Sequence, residues 1–334
     1  MNPRNVNRRR SALLFGLALL VVGQASAADA ERVAQVGWLT LSSSGRFEEI
    51  TARGFVTGLR EAGYVEGKNL QFVKRSADGS VRRLGPLAKE IVAAKVDVIF
   101  APAKPMADAA WYASRKIPTV IATVTNPVTV EYAVSLARPG KHITGVTTAS
   151  AELIGKRMQL LTELVPGIKR LGVFIEPELL ASCTEEMDLM EKAARTLGLT
   201  LVRVNVETFK GIDLKDAMQR AVAARVQAVM TAPMTGNQDI TDRLAEQAAK
   251  EGMPFVHDVP QLAGAALAVY GPDFEDIYRR AGLYVARILK GEKPAEMAIE
   301  EPREFKLIVN LKVARQLGLR VPQAVLVRAD EVIQ

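Results

Sequence analysis

The chain states one structural pattern twice, about 135 positions apart, and this constrains it to two similar α/β halves. Val36-Gly37-Trp38 opens the first copy, whose helix closes on Leu59-Arg60-Glu61-Ala62-Gly63 and whose next strand is Leu70-Gln71-Phe72-Val73. Leu171-Gly172-Val173, Ala194-Arg195-Thr196-Leu197-Gly198 and Leu201-Val202-Arg203-Val204 answer it in the second copy. Further on, Val96-Asp97-Val98-Ile99-Phe100-Ala101-Pro102 is matched by Val226-Gln227-Ala228-Val229-Met230-Thr231-Ala232-Pro233. Each is followed by a helical stretch and then by Ile117-Pro118 or Met253-Pro254. Two matched halves leave a cleft between them, and clefts bind small molecules.

The first residues predict export. Arg8-Arg9-Arg10, an apolar run over 12–22 and Ala25-Ser26-Ala27 read as a secretory signal peptide cleaved after Ala27. The run is too short to span a bilayer, and the small residues after it argue against a retained anchor. Sec and twin-arginine export both stay open. No cysteine stands at the cleavage site, so the expected product is a periplasmic protein without a lipid anchor. Cleavage removes four arginines and no acids, which leaves 40 basic residues against 37 acidic ones and lowers the net charge from +7 to +3. That balance is wrong for a nucleic-acid binder. The remaining 307 residues have the size of two domains. Cys183 is alone and reads as a buried, inert thiol without a disulfide. His142 and His257 are too few for a histidine-rich metal site, and neither a metal nor a cofactor is expected.

Strands are expected over 33–39, 70–74, 96–101, 119–123 and 144–147, with helices over 47–62 and 82–94. Leu153, Ile154, Met158, Leu161 and Leu164 recur at helical spacing and carry the chain into the second half. There, helices are expected over 182–197, 213–224 and 240–250, and a strand over 265–270. Ser182-Cys183-Thr184-Glu185 reads as a capping box, and Asp273 as the N-cap of a helix running to Lys290.

In α/β sheets ligands bind at the carboxyl ends of strands, so the loops there hold the candidate site. Ser42, Ser43 and Ser44 follow the first strand and read equally as helix caps and as ligand contacts. Ala103-Lys104-Pro105 follows the third, where Lys104 either meets an acidic ligand or is solvated. Thr123, Thr125 and Asn126 offer donors and acceptors beside Pro127. In the second half the corresponding positions are Glu176, then Met234 and Thr235, then His257-Asp258. Adjacent strand residues point to opposite faces, so ligand contact by one of His257 and Asp258 is favoured over acid–base work by both.

Gly63-Tyr64-Val65-Glu66-Gly67-Lys68-Asn69, Ser135-Leu136-Ala137-Arg138-Pro139-Gly140 with Thr144-Gly145-Val146, Tyr270-Gly271-Pro272-Asp273-Phe274 and Ile288-Leu289-Lys290-Gly291-Glu292-Lys293-Pro294 together carry a resemblance. They are similar to motifs of the ABC-transporter substrate-binding proteins whose best-understood members are periplasmic tryptophan- or aromatic-amino-acid-binding proteins. The resemblance spans nearly all of the chain after the signal. It implies a type I periplasmic-binding-protein fold, with two Rossmann-like lobes of parallel sheet joined by three crossovers and a ligand in the hinge cleft. The implied lobes are 28–146 plus 267–293 and 147–266 plus 294–334, with Thr147, Tyr270 and Asp273 at the crossovers as further candidate contacts. The implied partners are a small polar metabolite, such as an amino acid or organic acid, and an inner-membrane ABC permease.

The chain departs from the family pattern at two loops. Thr125-Asn126-Pro127 stands where an aspartate is common, and Lys104-Pro105 where Thr-Pro is common. Losing a negative group and gaining a positive one favours an acidic or neutral polar ligand over an amino acid, unless Glu176, Asp258 or Asp273 restores a negative partner. Capture and delivery of a solute is the leading expectation. A receptor reporting to a sensor or chemoreceptor is the second. An exported enzyme comes last, because no dinucleotide fingerprint, phosphate loop or nucleophile–base pair is present.

Overall fold

A computed structural model describes residues 32–42, 44–148, 150–206, 214–232 and 239–334. The chain divides into a unit at 1–33, of which only Arg32 and Val33 are described, and a compact unit Ala34–Gln334. The expected signal peptide lies outside the described residues.

The first lobe runs β1 (Ala34–Thr40), α1 (Arg46–Glu61), β2 (Leu70–Ser76), α2 (Val81–Ala93), β3 (Val98–Phe100), α3 (Lys104–Ala113), β4 (Thr119–Val124) and β5 (Ile143–Thr147). Its sheet is parallel throughout, in the order β2-β1-β3-β4-β5. Every residue of β4 and β5 is buried, as an apolar run covered on both faces must be. Helix α4 (Ser150–Leu164) leads into the second lobe. That lobe continues β6 (Arg170–Ile175), α5 (Thr184–Leu197), β7 (Thr200–Asn205), α6 (Leu214–Ala223), β8 (Ala228–Thr231), α7 (Asp239–Lys250), β9 (Phe255–His257) and β10 (Ala268–Pro272). Helix α8 (Phe274–Leu289) follows, then β11 (Phe305–Asn310), α9 (Leu311–Gln316), α10 (Gln323–Arg328) and β12 (Glu331–Ile333). The second sheet has the order β12-β11-β10-β9-β8-β6-β7, parallel except between β10 and β11.

The doubled sequence pattern is a doubled topology. β1 lies between β2 and β3 as β6 lies between β7 and β8, in both cases parallel. The repeated glycine has a packing cause. A Cβ on Gly37 would fall 2.3 Å from Ile91 Cγ2, and one on Gly172 would fall 2.9 Å from Val229 Cγ1.

The chain crosses between lobes after Thr147, at Asp273 and between Glu300 and Phe305. Two of these points differ from the expected partition. Residues 268–272 belong to the second sheet because β10 is bonded between β9 and β11. Residues 295–300 still belong to the first lobe, where Gly140 N donates to Ala295 O at 3.0 Å and Thr147 N to Glu300 O at 2.8 Å. Helix α8 returns to the first lobe and packs on α1 through glycines. A Cβ on Gly54 would lie 2.3 Å from Glu275 O, one on Gly58 1.9 Å from Arg279 O, and one on Gly282 2.3 Å from Phe55 O. Only glycine allows the two backbones to approach so closely.

The expected capping box is corrected. Helix α5 begins at Thr184 with Cys183 at its N-cap and no side-chain cap, because a 3-10 turn over Pro177–Ser182 precedes it. Asp273 does cap α8, its Oδ1 accepting from Asp276 N at 3.1 Å.

Candidate binding cleft

A cavity of about 460 Å³ opens at the carboxyl ends of the first sheet's strands, where the strand order reverses between β1 and β3. Thr40, Leu41 and Ser42 from the end of β1, Lys74 to Ser76 from β2, Pro102 and Ala103 after β3, and Thr123 and Thr125 from β4 form its floor. Phe47, Glu48 and Thr51 line it from α1, and Phe274 and Tyr278 from α8. Asp258 reaches it from the second lobe.

The wall is aromatic because three elements far apart in sequence bring rings together. Trp38 meets Phe55 edge-on with centroids 4.9 Å apart, Phe47 meets Phe274 at 5.3 Å, and Phe100 meets Tyr278 at 5.7 Å. Burial, and then the charge of Glu48, raises the Tyr278 phenol far above its ordinary pKa, so it stays a neutral hydroxyl, bonded to Thr123. The basic residues of the lining are engaged with acids. Lys74 pairs with Glu66 at 3.6 Å and stands 5.4 Å above the Trp38 ring, and Arg75 pairs with Glu90 at 2.7 Å. Asp258 has a looser partner, Arg157 Nη1 at 4.0 Å.

The lobes touch on both sides of this cavity. Phe47 of the first lobe packs in one cluster with Val259 and Leu262 of the second and with Phe274. Leu179 packs with Ala103 and Met106. Beside these contacts runs a polar latch: Thr125 Oγ1 donates to Glu186 Oε1, Asn126 Nδ2 to Glu185 Oε1 at 3.2 Å, and Thr129 Oγ1 to Glu185 Oε2 at 2.8 Å. Burial raises the Glu186 pKa, while the Thr125 hydrogen bond and the Lys104 charge oppose the rise.

Of the loop residues expected to meet ligand, Ser42, Ala103, Thr123, Thr125 and Asp258 line the cavity. Most of the other described ones have partners elsewhere. Ser44 is exposed, and its N–H and carbonyl bond Ser42 Oγ. Lys104 is bound to Asp108 at 2.7 Å, one helical turn on, and Asp108 also accepts from Tyr132. Asn126 serves the latch, where an aspartate would set a second carboxylate against Glu185. The asparagine therefore answers Glu185 and the lysine answers Asp108, so neither position favours an acidic ligand. Thr147 lies at the first crossing, and its neighbour Thr148 takes the cavity position. Glu176 caps the 3-10 turn through Glu178 N at 3.4 Å.

His257 is buried at 1 % exposure with Nδ1 accepting from Val259 N at 3.2 Å, and burial pushes its pKa down to about 3, so it is neutral. Tyr270 packs its ring against Phe305 at 6.4 Å. Asp273 holds Gln261 Nε2 at 2.7 Å besides its capping bond. Ser43, Met234 and Thr235 lie outside the described residues. Sequence reasoning missed Trp38, Phe47, Phe274 and Tyr278. The i, i+4 spacing of Phe47 with Thr51, and of Phe274 with Tyr278, was the available signal.

Among the described residues no group of His, Cys, Asp or Glu is arranged to hold a metal ion, and no helix is long and apolar enough to cross a membrane. Burial raises the Cys183 thiol to about 11, so it carries no thiolate at neutral pH.

Two lobes of largely parallel sheet, three crossings and an aromatic cavity against the hinge define a two-lobed ligand-binding protein of the type I periplasmic-binding-protein fold. The chain belongs to the family of ABC transporter substrate-binding proteins, whose model matches residues 41–333. It is similar to a tyrosine-binding protein of Clostridioides difficile strain R20291, with 24% identity over 272 residues that cover 80% of this chain and 76% of that one. It is also similar to the solved structure of a conserved domain protein from Vibrio cholerae, at 27% identity and TM-score 0.79, covering 90% of this chain and 100% of that one. An ABC domain in complex with L-Trp from Streptococcus pneumonia matches with 22% identity and TM-score 0.78, over 90% of this chain and 99% of that one. The family is one of solute-binding proteins rather than enzymes, and its role is delivery to an ABC permease.

Proposed function

We propose that this protein captures a small molecule with an aromatic or apolar body and an amino group, closes its lobes over it and presents it to an inner-membrane permease. The observation that carries the reading is the composition of the cavity: rings from β1, α1 and α8 on one side, and the Asp258 carboxylate from the second lobe on the other. A cavity of about 460 Å³ suits a ligand of amino-acid size. The relatives named for tyrosine binding and solved with L-Trp support the same class. Contact to both lobes at once is what couples binding to closure, since a ligand shifts an equilibrium only by its differential affinity for the two states. Export to the periplasm, with the signal removed after Ala27, is part of this reading.

A thermal-shift and calorimetric screen of protein purified after export tests this. L-Tyrosine, L-tryptophan, benzoate, a hexose and a nucleoside are the probes. Saturation of one site by an aromatic amino acid, with a rise in melting temperature that grows with ligand concentration, is the expected result. Asp258→Asn should weaken that binding by about 10-fold or more, the scale of a charged hydrogen bond. Preference for the hexose or the nucleoside would refute the ligand class.

A further inference from the structure

The two lobes also meet outside the cavity, through side chains that no ligand has to touch. Asn126 and Thr129 stand on the turn after β4, and Glu185 and Glu186 in the first turn of α5. Asn126 Nδ2 and Thr129 Oγ1 both donate to the carboxylate of Glu185, at 3.2 and 2.8 Å, and Thr125 Oγ1 donates to Glu186. Of these five residues Thr125 alone lines the cavity. Glu185 is therefore one acceptor shared by two donors of the opposite lobe.

The donors are aimed by their own turn. Asn126 Oδ1 accepts from Val128 N at 3.2 Å and from Thr129 N at 3.3 Å, which leaves the amide nitrogen as the end presented to the second lobe. The Thr129 hydroxyl lies 3.1 Å from Asn126 O and so stays beside that amide. Pro127 O accepts from Tyr132 N at 2.9 Å and from Ala133 N at 3.1 Å, which ties the turn to a buried tyrosine. In the other lobe, Glu185 sits at the amino end of α5, where the helix dipole favours a negative charge. Each half of the latch is shaped by its own lobe, so little ordering is left to be done when the halves meet.

A contact of this kind acts on affinity without touching ligand. Where the arrangement with the lobes together is the one that binds, the apparent dissociation constant is the intrinsic one divided by the fraction of ligand-free molecules already in that arrangement. Bonds made in the absence of ligand raise this fraction, and they raise it equally for every ligand. We propose that Glu185 is a positioning residue for capture: by receiving Asn126 and Thr129 it holds the lobes together before ligand arrives, and so sets the affinity for all ligands the cavity admits while leaving the choice among them to the cavity. The effect on affinity rests on capture by the cavity as read above, whereas the contact between ligand-free lobes does not.

The test exchanges the two ends of the latch. Asn126→Asp keeps the oxygen that the turn needs but sets a carboxylate against Glu185, and the double variant Asn126→Asp with Glu185→Gln returns an amide to face it. Affinities for L-tyrosine and L-tryptophan are measured by calorimetry at neutral pH, and the radius of gyration of the ligand-free protein by small-angle X-ray scattering. In Asn126→Asp both affinities should fall by about 10-fold, the scale of a lost hydrogen bond to a charged group, with their ratio held within about twofold and the ligand-free radius increased. The double variant should recover both affinities to within about threefold, together with the wild-type radius. A ligand-free radius in Asn126→Asp equal to that of wild type refutes the latch. A gain in L-tyrosine affinity, or a loss confined to one ligand, makes position 126 a ligand contact and refutes it as well. Wild type that binds neither amino acid overturns the aromatic amino-acid reading, while the scattering comparison still decides the latch. Should Asn126→Asp fail to fold, Thr129→Val removes one donor from an exposed position. An equal loss of about 3-fold for both ligands then supports the proposal, and unchanged affinities with an unchanged radius refute it.

Discussion

Replacing Gly58 with alanine sets two known effects against each other. Gly58 lies inside α1, where alanine is favoured over glycine by about 1 kcal/mol on helix propensity alone. At this position the new Cβ would stand 1.9 Å from Arg279 O and 2.8 Å from Arg279 C, both backbone atoms of α8. Ordinary contact between carbon atoms needs about 3.5 Å, so the helices must part by roughly 1.5 Å. Inserting a methyl group into a packed contact costs about 1–3 kcal/mol, and the gap opened along the rest of the helix pair forfeits further dispersion energy. Packing therefore wins, with a net loss of about 2 kcal/mol and a fall in melting temperature of roughly 4–8 °C. Gly155→Ala is the matched control. It lies inside α4 with nothing within 4 Å of a new Cβ, so propensity acts alone and stability should rise by about 0.5–1 kcal/mol. Urea and thermal unfolding followed by circular dichroism measure both. Because α8 carries Phe274 and Tyr278 into the cavity, Gly58→Ala should also weaken ligand binding. A Gly58→Ala protein as stable as its parent would refute the close packing of α8 on α1.

Two further outcomes follow from the site. Lys104→Ala removes a half-buried pair with Asp108, so stability should fall by up to about 1 kcal/mol while ligand affinity, read by calorimetry, stays within about twofold. A large loss of affinity would return Lys104 to the binding site. Glu186 has a raised pKa, so the folded protein binds its proton more tightly than the unfolded chain does. Its contribution is fully present below the ordinary carboxylate range and is lost as pH rises through the raised value. Glu186→Gln should accordingly raise the melting temperature at pH 7.5, with the gain shrinking as pH falls toward 4. A variant destabilised at pH 7.5 would mean that the ionised carboxylate in the latch outweighs its burial cost.

Much of the scaffold was legible because its signals are local. Strand runs such as 119–124, helix ends at Gly63 and Gly198, and the N-cap at Asp273 are written within a few residues of where they act. The rule that ligands meet strand ends located Ser42, Ala103, Thr123, Thr125 and Asp258. The aromatic wall was not legible in the same way. Phe47 and Phe274 occupy apolar helix positions whose periodicity is the same whether the face meets a core or a cavity, and what separates the two is the return of α8 onto α1. The Lys104 pairing had a local signal, since Asp108 stands four residues on. The meaning of Asn126 had none, because Glu185 reaches it only through the contact of two lobes, 59 residues away in sequence. The crossing near β10 was displaced because β10 looks like any strand until its neighbours β9 and β11 are known, and the one after α8 because residues 295–300 are tied to Gly140 and Thr147 only by backbone bonds distant in sequence.

The central claim is that an amino-bearing aromatic ligand sits against the rings of this cavity, and the chain's two tryptophans make it directly measurable. Trp38 lines the cavity, whereas Trp111 is stacked on His142 with centroids 4.8 Å apart and does not line it. In a Trp111→Phe protein, Trp38 is the only indole. Titration of that protein with L-tyrosine should change Trp38 emission along the same binding curve that calorimetry gives. Calorimetric binding with Trp38 emission unaltered would place the ligand elsewhere and contradict the account.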